Sequence, residues 1–184
     1  IMSKIEVNEI DNLSGSSTLT LGKDNTTTLD LGSNITSGTM INRPAFKVTL
    51  SSNQTLSDDT LTRLAWDTEE YDTDNAFDTS TYLFTVPSGK AGKYVFEFHV
   101  FGDDIDDGNT WSTYMELNGT AIVGSFEAKR GSGATQNCET SGCVTVTCAA
   151  GDTVEVVAKH QGTSSSQEVR SNASFFSGYR LIGV

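Results

Sequence analysis

The chain has 184 residues, enough for one domain of ordinary size with an appendage and too few for two full domains. Its 24 Asp and Glu against 12 Lys and Arg give a formal charge of -12, which repels phosphate backbones and anionic headgroups, so neither nucleic acid nor a membrane is an expected partner. No apolar run approaches the roughly 20 residues that cross a bilayer, and Ile1-Met2-Ser3-Lys4 lacks the apolar centre of a signal peptide, so membrane insertion and export by the secretory route are not expected.

Residues 1–42 contain no aromatic side chain and form the first predicted unit, a β-rich stem or attachment segment. Within it Thr18-Leu19-Thr20-Leu21-Gly22 is echoed by Thr28-Leu29-Asp30-Leu31-Gly32, a strand-then-turn pattern with two leucines on one face. One thin chain cannot bury such leucines, whereas three chains around an axis can. From Arg43-Pro44 onward, apolar and aromatic bursts at strand length follow one another: 45–50, 81–86, 94–101, 111–117, 121–126, 144–148, 154–158 and 174–184. Gly, Ser, Asn or Asp clusters separate many of them. Helical periodicity is hard to find, and eight or more short strands at this spacing predict an all-β sandwich or jelly roll over 43–184. In the third burst Tyr94, Phe96, Phe98 and Val100 alternate onto one face, while Val95, Glu97, His99 and Phe101 occupy the other.

The acidic stretch Asp103-Asp104-Ile105-Asp106-Asp107-Gly108-Asn109 is expected to be a loop, and its four carboxylates are of the hard-oxygen type that calcium prefers. The spacing is not that of an EF-hand, which favours a solvated turn over a calcium site. Cys138, Cys143 and Cys148 leave at least one thiol unpaired within a chain. Glu139-Thr140-Ser141-Gly142 is turn-like, so both a Cys138–Cys143 disulfide across a hairpin and three reduced thiols remain open. His99 and His160 sit in no metalloprotease, zinc-finger or nucleophile-elbow motif, and no phosphate-binding Gly-Lys-Ser or Gly-Lys-Thr occurs, so the chain is not expected to be an enzyme or to require a cofactor.

Trp66, Asp72, Phe77 and Phe84, followed by Gly92-Lys93-Tyr94-Val95-Phe96-Glu97-Phe98, resemble the signature of the complement-q globular head family, relatives of the tumour necrosis factors. The closing Phe175-Phe176-Ser177-Gly178-Tyr179-Arg180-Leu181 is similar to that family's last strand, and the resemblance covers residues 43–184. It implies a ten-stranded jelly roll that assembles as a homotrimer and binds ligands rather than transforming them. It also places strand 94–101 beside the C-terminal strand in the inner sheet. Val95, Phe101 and Phe176 are therefore expected to line the trimer contact, with Glu97 and His99 near Arg180.

Ser3-Lys4-Ile5-Glu6-Val7-Asn8-Glu9-Ile10-Asp11-Asn12, with the Thr-Leu-x-Leu-Gly units after it, resembles the start of tail-fibre and other appendage proteins of marine bacteriophages. The resemblance implies a virion protein made in the host cytoplasm and released by lysis. Its expected partners are other copies of itself, other virion proteins, and a host-surface glycan or outer-membrane receptor. Contact would run through apical loops that include Asp103, Asp104, Asp106 and Asp107 and the segment 131–143. The competing readings are a capsid decoration protein that stabilises the shell and a secreted ligand-binding protein of the complement-q type.

Overall fold

A computed structural model describes residues 42–105, 107–124, 127–130, 136–162 and 167–181. The stem expected over 1–42, with its leucine repeat, lies outside the described residues except for Asn42.

The chain passes through β1 (Ala45–Thr49), β2 (Gln54–Leu56), β3 (Thr62–Arg63), β4 (Thr68–Asp72), β5 (Phe77–Asp78), β6 (Leu83–Thr85) and the long β7 (Gly92–Ile105). It continues through β8 (Thr110–Leu117), β9 (Thr120–Ala121), β10 (Glu127–Arg130), β11 (Gln136–Cys148), β12 (Thr153–Gln161), β13 (Gln167–Val169) and β14 (Phe175–Arg180). All strand pairs are antiparallel, in two sheets, as a jelly-roll sandwich requires. In the first sheet β7 is the spine. Strand β11 follows one of its edges from Gly92 to Ile105, while the other edge is shared by β14 along 94–99 and β13 along 102–103. Strands β1 and β4 lie beyond β14, and β2 beyond β13. The second sheet runs β10-β8-β12-β6-β5.

The alternation of β7 decides which face is which. Tyr94, Phe96, Phe98 and Val100 are buried between the sheets, whereas Val95, His99 and Phe101 are half-buried and Glu97 is exposed on the reverse face. The core they enter is mainly aromatic. The Phe46 ring stacks on Phe84 at 4.8 Å and on Phe77 at 5.3 Å, and meets Phe176 edge-on at 5.0 Å. Such pairs contribute about 0.5–1.5 kcal/mol each beyond the area they bury. A buried polar bridge also crosses the core: Trp111 Nε1 donates to Thr113 Oγ1 at 3.0 Å, and the Thr140 hydroxyl lies 3.0 Å from the same oxygen. At the β8–β9 turn Asn118 (φ 51°) and Gly119 (φ 73°) both adopt positive φ between the paired residues Leu117 and Thr120, the two-residue hairpin that Asn-Gly favours.

The hairpin that a Cys138–Cys143 disulfide would need does not form. All three cysteines lie on the single strand β11, where Cys138 faces Gly102, Cys143 faces Glu97 and Cys148 faces Gly92. Five extended residues separate Cα atoms by roughly 16 Å, well beyond the reach of a disulfide. The odd spacing also sends the side chains to opposite faces, so Cys138 is buried and Cys143 exposed, and none of the three cysteines is in a disulfide. The ladder to β7 overrides the local turn preference of Ser141-Gly142. For the same reason, residues 136–143 belong to a strand rather than to an apical loop.

Candidate functional site

The reverse face of the first sheet carries the candidate site. Along β7 it presents Val95, Glu97, His99 and Phe101, and the register brings Thr145, Cys143, Ser141 and Glu139 of β11 beside them in that order. On the other edge Tyr179, Ser177 and Phe175 of β14 stand opposite Val95, Glu97 and His99, and Lys47 of β1 stands opposite Ser177. The side chains brace one another. Ser177 donates its hydroxyl to Glu97 Oε1 at 2.8 Å, and the Phe175 ring stacks on the His99 imidazole with centroids 6.3 Å apart. Lys47 Nζ sits 5.3 Å above the Phe175 ring and 2.9 Å from Glu70 Oε2. Glu97, His99, Ser141, Cys143 and Phe175 line an open cleft of about 350 Å³ on this face. The face is partly aromatic and braced by local contacts, which suits the burial of a protein surface.

Two expected interface residues lie elsewhere. Phe176 pairs with Phe98, not with His99, and is fully buried among Phe46, Phe77, Phe96 and Trp66. Its neighbour Phe175 takes the outward position. Gly178 fixes this choice: it shares the inward face with Phe176, and a Cβ there would come within 2.4 Å of the Phe96 ring. Arg180 pairs with Tyr94 and donates from Nη2 to the Ala91 carbonyl at 2.9 Å, so it braces the start of β7 rather than joining Glu97 and His99. Phe175, Ser177, Tyr179, Lys47 and Cys143 are the face residues the sequence reading missed. Gly178 beside the Phe pair was the available signal for three of them.

The acidic segment is also rearranged. Strand β7 extends to Ile105, so Asp103 is a buried strand residue that accepts from Arg170 Nε at 2.6 Å in a charge-assisted pair. Asp104 lies within the strand, Asp106 lies outside the described residues, and Asp107 is exposed in the turn. Among the described residues no three His, Cys, Asp or Glu side chains come together as metal ligands. Nor does the buried thiol suit nucleophilic chemistry: burial first, and then nearby Asp152, pushes Cys148 up to about 11, so it stays protonated at neutral pH.

On the outer face of the second sheet Glu116 and Glu155 are directly opposed, with Arg63 Nε donating to Glu155. Partial burial, followed by repulsion from Glu155, raises the Glu116 carboxyl above its usual range. A raised carboxyl binds its proton more tightly in the folded state, so this site's contribution to stability falls as pH rises through its titration. Glu116→Gln is therefore expected to raise the stability at neutral pH by a few tenths to about 1 kcal/mol, seen as a higher melting temperature, and the gain should disappear in acid. Thermal melts across pH read this directly.

A family model described as the C1q domain matches residues 45–181. Among solved structures, the globular domain of the zebrafish complement 1qA protein is similar with a TM-score of 0.57 and 17% sequence identity, covering 76% of this chain and 98% of that one. A search of curated proteins finds no match.

Proposed function

Because the chain belongs to the C1q domain family, whose members are non-enzymatic domains that form trimers and bind ligands, we propose that it is the trimeric head of a virion appendage that binds a host-surface molecule. The observation that carries the trimeric part is the reverse face of the first sheet. There Val95, Phe101, Phe175 and Tyr179 are outside a core already completed by Phe46, Phe96 and Phe176. Aromatic side chains on an exposed, rigid sheet face are what a subunit contact uses. With that face buried between copies, the loops at the ends of the sandwich remain available for ligand.

The placement on a virion is supported by the segment from Ser3 to Asn12 and the Thr-Leu-x-Leu-Gly units, which resemble phage appendage proteins. The ligand is then a host-surface glycan or outer-membrane component. The proposed role requires no cofactor. Purified protein added in excess is expected to bind host cells and reduce adsorption of the phage that carries it. Binding to empty shells with no effect on adsorption would assign it instead to shell decoration.

A further inference from the structure

We infer that His160 is a proton-operated latch that fastens the turn at 57–60 to the Gly162 turn, at the end of the sandwich where β7 finishes. The imidazole is fully buried, with Nε2 3.0 Å from the Leu56 carbonyl oxygen. A carbonyl only accepts, so Nε2 carries a hydrogen. The other nitrogen, Nδ1, is buried, has no hydrogen-bond partner, and lies 3.6 Å from Asp58 Oδ1. A neutral ring would point a lone pair at a carboxylate there. A proton on Nδ1 turns that opposition into a charge-assisted contact.

The surrounding charges leave Asp58 as the counter-ion. On the same turn the Asp59 carboxylate is held by Lys159 Nζ of β12 at 2.5 Å, so that pair neutralises itself. The nearest residues of β2 and β8, Leu56 and Trp111, are uncharged. On β13 Gln167 is neutral, and the carboxylate of Glu168 is taken by Asn53 and Thr55. Asp103 of β7 is paired with Arg170.

Asp58 also accepts the Gly162 amide at 2.9 Å, and the Asp59 amide donates to the His160 carbonyl at 2.9 Å. Two hydrogen bonds thus join the two turns, and a proton on His160 adds a third attachment, through the Asp58 carboxylate. The latch is closed on the acid side and released on the alkaline side. The ends of the loops proposed for ligand contact therefore tighten as the medium acidifies.

Amide hydrogen exchange of the full chain, corrected for intrinsic rates and compared at about pH 5.5 and about pH 7.5, tests this together with the ¹⁵N spectrum of the ring. The Gly162 and Asp59 amides should be protected about fivefold more at the lower pH, with both ring nitrogens protonated there. Asp58→Asn, a change at a half-exposed side chain that keeps an acceptor for Gly162, should abolish the difference while the rest of the spectrum is unchanged. Equal protection at the two pH values, a difference that survives Asp58→Asn, or a singly protonated ring at the lower pH would each overturn the latch. None of these readouts depends on oligomeric state or on ligand.

Discussion

Phe176→Ala is expected to destabilise the fold by about 3–5 kcal/mol, a large fraction of the total stability of an ordinary domain. The ring sits within 5.0 Å of Phe46 and 6.2 Å of Phe77 and Phe96, centroid to centroid, with Trp66 at 6.4 Å. Removing it opens a cavity between two sheets that are tied into long ladders and cannot collapse around it. Urea unfolding of Phe176→Ala and Phe175→Ala in parallel reads the effect. The neighbouring variant should lose far less within each sandwich, because its ring lies outside the core. Equal losses would mean that the strand is registered differently.

Phe101→Asp is expected to abolish assembly while leaving each sandwich folded. The backbone at this position is held independently of its ring: the Phe101 amide donates to Ser174 Oγ at 3.0 Å, and its carbonyl accepts from the Arg170 amide at 2.9 Å. The half-buried ring faces outward, beside Glu139 of β11. A carboxylate there would be buried in every subunit contact without a cation, a cost of about 3–5 kcal/mol per site. Light scattering should show single chains with an unchanged near-ultraviolet dichroism spectrum. A stable trimer carrying this substitution would remove the face from the proposal.

The legible parts of the sequence were those where local pattern and tertiary role coincide. Strand β7 announced itself because Tyr94, Phe96, Phe98 and Val100 alternate without interruption, and the first three belong to both the family motif and the core face. Strand β4 was not legible: Thr68-Glu69-Glu70-Tyr71-Asp72 has almost no buried side chain and is a strand only because it pairs with β1 at the sheet edge. Of the two- and three-residue strands, β6 fell within the expected burst 81–86, whereas β2, β3, β5, β9 and β13 are likewise defined by their neighbours, since such short segments carry no periodicity.

At the candidate site, the sequence assigned the two faces of β7 as the structure has them, but placed β14 one residue out of phase. Phe175 and Phe176 are chemically identical, so composition cannot choose between them; the space that Gly178 leaves for Phe96 does. The cysteines failed differently. Ser141-Gly142 is a fair turn signal taken alone, and only the unbroken pairing of β11 with β7, a contact between distant parts of the chain, shows why it is not used. Asp103 was read as a loop carboxylate because its partner, Arg170, lies 67 positions away.

Sedimentation equilibrium of the purified chain across a wide concentration range addresses the central claim most directly. Burial of the Val95, Phe101, Phe175 and Tyr179 face between copies predicts a single species with the mass of three chains, reduced to the mass of one by Phe101→Asp. A wild-type chain that sediments with the mass of one chain at every concentration would contradict it.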